Sequence, residues 1–455
     1  MLMPAGAPDE RALRPYQEAA IAAWQANGRR GILAMATGTG KTYTAIVTVE
    51  RLLETEAGLD LVVVVAPYQH LVDQWADELQ VRGVHASRAF EDTARWTAEW
   101  RVHRRRDRAL GKPSCLLTTY VTLGSKAFRE ILESEIDRVV FVADECHYLG
   151  APRARQVMDL PIPARLGLSA TPERHFDDEG TEALMQFFGG IVFSFGLTDA
   201  IGDGFLTPYD YYPEPVALSD EEFEEYRDLT RRLGIAAARA GPDGFGADER
   251  EKTLAQKRSR LLNNAEAKVA WLRGKLEARG VTDVRHTLVY VGDRLFDRVL
   301  HMIGNQLRIP AHAFTAEQPR RERSQLLQRF DAGELRVLVA MRCLDEGVDV
   351  PPTRAAYFLA SSSNPREFVQ RRGRILRRSP GKERAEIFDA IAVPPRQGLW
   401  NTFDRAERAA VRTQFARIRE FGQQAHNAVA ADRAVLAIRM AADVPLEPTP
   451  REGTP

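Results

Sequence analysis

Apolar residues along this chain come in short unbroken runs and not in alternation. Gly31 to Ala36 (GILAMA), Leu61 to Pro67 (LVVVVAP), Cys115 to Tyr120 (CLLTTY), Val139 to Asp144 (VVFVAD) and Ala164 to Ala170 (ARLGLSA) mark the first half. Thr287 to Val291 (TLVYV), Val337 to Met341 (VLVAM) and Ala355 to Ala360 (AAYFLA) mark the second. A strand that is apolar at every position is buried on both faces, so the pattern predicts parallel sheets covered by helices. The fold class is α/β, in two blocks at about 1–205 and 281–395. The intervening stretch, about 206–280, opens Pro- and Tyr-rich (FLTPYDYYPEPVAL) and continues as charged helix. It breaks at Gly241-Pro242-Asp243-Gly244, read as a turn or loop, and resumes as a second helix through Trp271. After Pro394-Pro395 the sequence is Ala- and Arg-rich with few breakers. This predicts helix over about 399–443, within a C-terminal segment of about 396–455 whose tail from Arg451 is unstructured.

Composition adds limits. A chain of 455 residues is too long for one ordinary core and suggests two or three domains. The formal net charge is zero, which argues against a wholly electrostatic nucleic-acid binder but leaves local patches open. One basic cluster runs from Arg101 to Lys112, with Trp96 and Trp100 just upstream on the same expected helix. It reads either as a surface for a nucleic-acid track or as an exposed basic helix packed by two tryptophans. Another runs from Arg366 to Arg384. Cys115, Cys146 and Cys343 are odd in number and far apart, so reduced, semi-buried thiols are expected and no disulfide framework. The longest apolar run is too short to cross a membrane and the N-terminus lacks a signal pattern, so a cytoplasmic protein is expected.

The chemistry begins after the first apolar run, at Thr37-Gly38-Thr39-Gly40-Lys41-Thr42. Strand, glycine loop, then Lys-Thr opening a helix is the arrangement that cradles phosphate. Glycines admit the anion to backbone N–H groups, and the helix N-terminus and the lysine supply positive charge. Lys41 is expected on the β- and γ-phosphates of ATP and Thr42 on Mg²⁺. Met35 stands where the general phosphate-loop pattern has its first glycine. A second strand, Val139 to Ala143, ends in Asp144-Glu145-Cys146-His147. Two adjacent carboxylates behind a buried strand are costly unless a cation and a water use them. Asp144 suits the Mg²⁺ shell, and Glu145 suits orienting and deprotonating the attacking water.

With these residues the chain resembles a superfamily 2 helicase of the DEAH-like kind, with DECH as its acidic box. The resemblance covers about 13–395 and implies two RecA-like lobes. It implies that Gln17, in Leu13-Arg14-Pro15-Tyr16-Gln17, reads adenine. Ala66-Pro67-Tyr68, with the helix through Gln74-Trp75, resembles a motif that touches the strand backbone, as does Thr118-Thr119-Tyr120. Pro67, Tyr68, Thr118 and Thr119 are therefore the expected nucleic-acid contacts. Ser169-Ala170-Thr171 resembles the element that couples the ATP site to the track, and His147 is expected in the same network.

The second block separates this resemblance from kinases and GTPases. Val337 to Pro351 (VLVAMRCLDEGVDVP) resembles helicase motif V, which implies Asp349 on the ribose and Gly347 at a close backbone approach. Gln370-Arg371-Arg372-Gly373-Arg374-Ile375-Leu376-Arg377 resembles motif VI. It implies Gln370 near the attacking water, and Arg374 and Arg377 as fingers on the γ-phosphate. Arginines three apart lie on one helical face and reach a single phosphate. Arg371, Arg372 and Arg378 read as a solvated face or as phosphate-backbone contacts. Such a site depends on closure of the two lobes, and its track contacts are independent of sequence and weaken with salt.

RPYQ upstream and LDEGVDVP in motif V resemble XPB-like, restriction-motor and phage repair helicases, which favours DNA over RNA. The helical insert resembles thumb-like inserts that grip duplex, or is a spacer between lobes. No nuclease signature is present, so cleavage would need a partner serving repair or defence. An RNA helicase and an ATP-gated clamp subunit of a larger complex stay open as alternatives.

Overall fold

A computed structural model of the chain describes residues 12–151, 153–173, 177–239, 249–341, 350, 352–360, 365–395, 403 and 405–444. The chain divides into two units, Met1–Asp203 and Gly204–Pro455. The stretches expected as a separate insert and a separate C-terminal segment thus both belong to the second unit.

The first unit is built on β1 (Arg30–Met35), β2 (Leu61–Ala66), β3 (Ala86–Ala89), β4 (Ser114–Thr119), β5 (Val139–Asp144), β6 (Ala164–Ser169) and β7 (Ile191–Phe195). They form one parallel sheet in the order β3-β4-β2-β5-β6-β1-β7. The five apolar runs read from the sequence are the interior strands. β2, β4, β5 and β6 are buried at every residue, as strands covered on both faces must be. The two edges, β3 and β7, were not anticipated. β3 is four residues long with an exposed Arg88, and β7 is largely accessible and irregular in register against β1. Helices α1 (Pro15–Ala26), α2 (Lys41–Thr55), α3 (Gln69–Val81) and α4 (Thr93–Ala109) alternate with these strands. Ile32, Val63, Phe141, Phe128, Trp96 and Trp100 share one core.

Helix α4 carries the Arg101–Lys112 cluster, and much of that charge is already used. Trp96 and Trp100 are buried. Arg104 is buried too, donating to Asp60 Oδ1 at 2.6 Å and to the Glu135 carboxylate, while Arg108 pairs with Glu135 at 3.1 Å. The helix is a packed wall of the first unit, with Arg101 and Arg105 left at the surface.

The second sheet holds β8 (Tyr209–Ala217), β9 (Thr287–Tyr290), β10 (Ala311–Thr315), β11 (Val337–Met341), β12 (Ala355–Phe358) and β13 (Ala385–Val393). Its order is β10-β11-β9-β12-β13-β8, all parallel. β8 is the Pro- and Tyr-rich stretch that reads as a separator. Its two prolines explain why it is legible only in hindsight. β8 pairs with β13 alone, so it is an edge. Pro213 and Pro215 lie two apart, so both missing N–H groups fall on the same side of the strand, and an edge has a side that needs none.

The expected pair of insert helices is three: Asp220–Arg239, Glu249–Asn263 and Ala267–Arg279. The second and third are separated where Asn264 turns its amide back on the Arg260 carbonyl (2.7 Å) and accepts the Arg294 N–H (3.0 Å). The Gly241-Pro242-Asp243-Gly244 break lies outside the described residues. Phe223, Tyr226, Leu229, Leu254 and Leu261 pack together with Ala392 and Ala410, which anchors the first two helices on the second unit.

The expected C-terminal helix is two, Arg405–Gln423 and Ala428–Ala441. Buried polar contacts hold them. Arg417 forms a bidentate pair with Asp389 at 2.8 and 2.9 Å, and the Tyr211 hydroxyl donates to the same carboxylate at 2.8 Å. The Gln414 side chain accepts from and donates to the Ala392 backbone, and Asn427 does the same at Tyr211.

This docking corrects the reading of the motif VI arginines. Arg372 is 2% exposed, with its guanidinium on the Glu420 carboxylate (2.6 Å), the Glu420 carbonyl (2.7 Å) and the Tyr209 hydroxyl (3.2 Å). Arg371 is also buried and lies over the Tyr290 ring. Neither is a solvated face. Arg378 is exposed, as expected.

Candidate active site

Three adjacent strands of the first sheet, β5, β6 and β1, each end in one of the sequence motifs. In an open α/β sheet the carboxyl ends of the strands are where ligands bind, so the placement follows from topology. After β1 the loop turns through Gly38 (φ 90°) and Gly40 (φ 83°), both in the left-handed region that glycine tolerates, and Lys41 opens α2. The Lys41 ammonium donates to the Met35 carbonyl at 3.1 Å, the position where the general pattern has glycine. Thr37 lies in the same loop, and Thr42 follows in the first turn of the helix. The buried Thr39 hydroxyl donates to the Ala36 carbonyl at 2.7 Å.

Helix α1 braces this loop. The Tyr16 hydroxyl donates to the Thr39 carbonyl at 2.6 Å, and its ring stacks on Phe195 at 4.0 Å. Gln17 is buried, donating to Thr44 Oγ1 (3.1 Å) and the Gly40 carbonyl (3.4 Å) and accepting the Arg14 N–H (2.9 Å). In this arrangement the Gln17 amide holds the phosphate loop.

β5 ends in Asp144, buried, whose Oδ2 accepts the Trp75 indole N–H at 2.8 Å and whose Oδ1 accepts the Glu145 N–H at 3.0 Å. Burial raises the carboxyl above its ordinary range, against the opposing pull of the indole N–H and of the Lys41 charge. Glu145 is forced to φ 48°, uncommon for a side-chain-bearing residue. His147 Nδ1 lies 3.5 Å from Glu145 Oε2 and 3.2 Å from the Ser169 hydroxyl, which also accepts the Thr171 N–H at 3.1 Å. His147, Ser169 and Thr171 are therefore one connected chain from the acidic box to the end of β6.

The donor set fits a magnesium–nucleotide. Among the described residues no group of three or more His, Cys, Asp or Glu could hold a metal by itself. One carboxylate and one threonine hydroxyl beside a phosphate cradle suit a cation that takes its remaining ligands from phosphate oxygens and water.

Of the expected strand contacts, Pro67 and Tyr68 are partly exposed at the loop entering α3, and Tyr68 meets the Tyr148 hydroxyl at 3.1 Å. Thr118 is fully buried with its hydroxyl on the Ala89 carbonyl (2.8 Å). Thr119 caps the following turn through the Thr122 N–H. Both hydroxyls serve the fold in this arrangement, and the exposed residue of the segment is Val121.

In the second unit Gln370 and Arg374 lie on helix Pro365–Ile375, and Arg374 is buried. Arg377 does not continue that helix. It forms an antiparallel bridge with Leu206, while the Thr207 N–H takes the Leu376 carbonyl at 2.7 Å. The Lys382 ammonium caps the Ile375 and Arg377 carbonyls. The expectation of two arginines on one helical face is therefore replaced by one on the helix and one just past its end. Burial pushes Arg377 down to about 10, so it stays charged at neutral pH. Gly347 and Asp349 lie outside the described residues, as does Cys343. Cys115 and Cys146 are fully buried, not semi-buried, and burial pushes Cys115 up to about 12. Tyr16 and Trp75 lie inside motifs read from the sequence but carried no expected contact of their own, and Tyr148 was not singled out; Tyr16 meets the loop, Trp75 meets Asp144 and Tyr148 meets Tyr68.

Residues 10–174 match the family model described as type III restriction enzyme, res subunit, and residues 267–379 match the helicase conserved C-terminal domain. A DNA 3'-5' translocase XPB2 of Sulfurisphaera tokodaii is 28% identical over 81% of this chain and 80% of its own length. A DNA 3'-5' helicase XPB of Kineococcus radiotolerans is 26% identical over 85% of this chain, which spans only 61% of that relative. Among solved structures, the ATP-dependent Type ISP restriction-modification enzyme LlaBIII bound to DNA aligns with a TM-score of 0.63 at 18% identity. That alignment covers 96% of this chain and 33% of the other. The Pyrococcus furiosus Hef helicase domain aligns with a TM-score of 0.52 at 18% identity, over 83% and 95%. At that identity the structural likenesses speak to the fold.

Proposed function

We infer, from the premise that this chain is a superfamily 2 helicase of the XPB-like and restriction-motor kind, that it is an ATP-dependent DNA helicase or translocase. The observation that carries the reading is the set of three neighbouring strand ends, with phosphate loop, acidic box and His147–Ser169–Thr171 chain side by side. Mg²⁺, held by Thr42 and Asp144, would supply charge neutralisation at the phosphates. Lys41 binds the phosphates, and Glu145 holds and deprotonates the attacking water. By the motif resemblance Gln370, Arg374 and Arg377 serve the hydrolytic step, and Gly347 and Asp349 the ribose. His147 reports the state of Glu145 to Ser169 and Thr171 through the contacts already described. Gln17 serves the loop first, and we propose that it reads adenine through the same amide.

DNA as the track is supported by the names of the relatives above, and RNA is the weaker alternative. Pro67 and Tyr68 are proposed as strand contacts. We further propose a cytoplasmic role in repair or in defence against foreign DNA, with cleavage, if any, left to a nuclease partner. Among the described residues no helix is long and apolar enough to cross a membrane. A triplex-displacement assay tests movement: a third strand annealed to duplex DNA should be released only with ATP and Mg²⁺. Release that is equal without ATP, or absent while ATP is consumed, rejects translocation on duplex.

A further inference from the structure

We propose that Trp75 is the positioning residue of the magnesium carboxylate, a role that rests on the ATPase reading above. Trp75 lies on α3, away from both the phosphate loop and the acidic box in sequence, and is 3% exposed. Its indole N–H donates to Asp144 Oδ2 at 2.8 Å, while Asp144 Oδ1 is held by the Glu145 N–H at 3.0 Å. Each carboxylate oxygen therefore has one protein donor, which fixes the plane of the group. Each keeps acceptor capacity for the cation or its water.

An indole suits this post for two reasons. It is a donor only and has no lone pair in reach, so it cannot displace the carboxylate from a metal. It is also neutral, so it does not compete with a cation as a lysine or arginine would. A purely structural tryptophan would be satisfied by any acceptor at the core boundary. This one spends its single donor on the one carboxylate the cation needs. Partners of metal-binding side chains typically contribute 10–100-fold to metal affinity, which sets the expected scale.

The experiment measures binding of a fluorescent ATP analogue by the full chain across a Mg²⁺ titration and in EDTA. The parent protein is compared with Trp75→Phe, and with 3-benzothienylalanine at position 75, which keeps the bicyclic shape and lacks the N–H. In both variants the Mg²⁺ midpoint should rise by roughly 10-fold while affinity in EDTA is unchanged. In an Asp144→Asn background the Trp75→Phe change should add nothing further. If Trp75→Phe does not fold, the benzothienylalanine protein decides. A folded variant with the parent's Mg²⁺ midpoint overturns the proposal, as does an equal loss of affinity in EDTA. A parent protein with no Mg²⁺-dependent nucleotide binding overturns the ATPase reading itself, so the two failures are told apart.

Discussion

The substitution Arg417→Met removes one half of an ion pair inside the second unit. Asp389 is 1% exposed and accepts two hydrogen bonds from Arg417, at 2.8 and 2.9 Å, and one from the Tyr211 hydroxyl. Methionine fills much of the same volume, so the loss is electrostatic: a buried carboxylate keeps one neutral donor and loses its hydrogen-bonded counter-charge. Breaking a buried pair from one side costs about 3–5 kcal/mol. The second unit spans Gly204–Pro455. For a domain near this size each kcal/mol moves the midpoint by roughly 2–4 °C, so its transition should fall by about 6–20 °C. Calorimetry on the full chain reads this, with Arg95→Ala as the control. Arg95 pairs with Glu99 at the surface and should shift the melt by no more than the scatter expected of an exposed pair. Replacing both partners, Arg417→Met with Asp389→Leu, should recover most of the loss, because the desolvation penalty leaves with the charge. A single variant that melts within about 2 °C of the parent would refute the claim that this pair ties the C-terminal helix to the second sheet.

Lys41→Ala should lose ATP binding, whereas Glu145→Gln should bind ATP and fail to turn it over; nucleotide binding and hydrolysis measured side by side separate the two. Arg374→Ala should keep ATP binding and lose at least ~10³-fold in DNA-stimulated turnover, the scale on which such arginines act. Lys268 is buried with its ammonium on the Leu359 carbonyl, and burial pushes it down to about 7. An unfolded lysine titrates near 10.4, so between about pH 7 and 10 the unfolded chain binds a proton that the folded one does not. Stability therefore gains with pH across that window, and Lys268→Met should lessen the rise between about pH 7 and 9, with Lys382, which burial also pushes down to about 7, supplying the remainder; denaturation curves parallel to the parent's would contradict it.

What the sequence discloses and what it hides divide along physical lines. Phosphate loop, acidic box and the interior strands are local: each is a run of residues whose neighbours explain it. Strands β2 and β5 are continuous apolar runs because both of their faces are covered. Edge strands carry no such signature. β3 is ASRA, and β8 holds two prolines that would exclude it from any interior position. β13 was missed because Asp389 interrupts its apolar run, and that charge is matched by Arg417, 28 positions away. Arg372 reads as one more cation in a basic helix until Glu420, 48 positions on, is seen against it. The Trp75–Asp144 contact spans 69 positions, and nothing in either local sequence announces it. Motif VI shows the opposite error. Periodicity placed Arg377 on a helix that in fact ends at Ile375, where Thr207 and Lys382 take the last carbonyls.

Steady-state ATP hydrolysis by the purified chain, measured with Mg²⁺ and no nucleic acid, duplex DNA, single-stranded DNA or structured RNA, decides whether DNA drives the ATPase. A DNA-driven motor turns over slowly alone and is strongly stimulated by DNA, an effect that weakens as salt rises. Stimulation by RNA only, or hydrolysis indifferent to every nucleic acid, would contradict it.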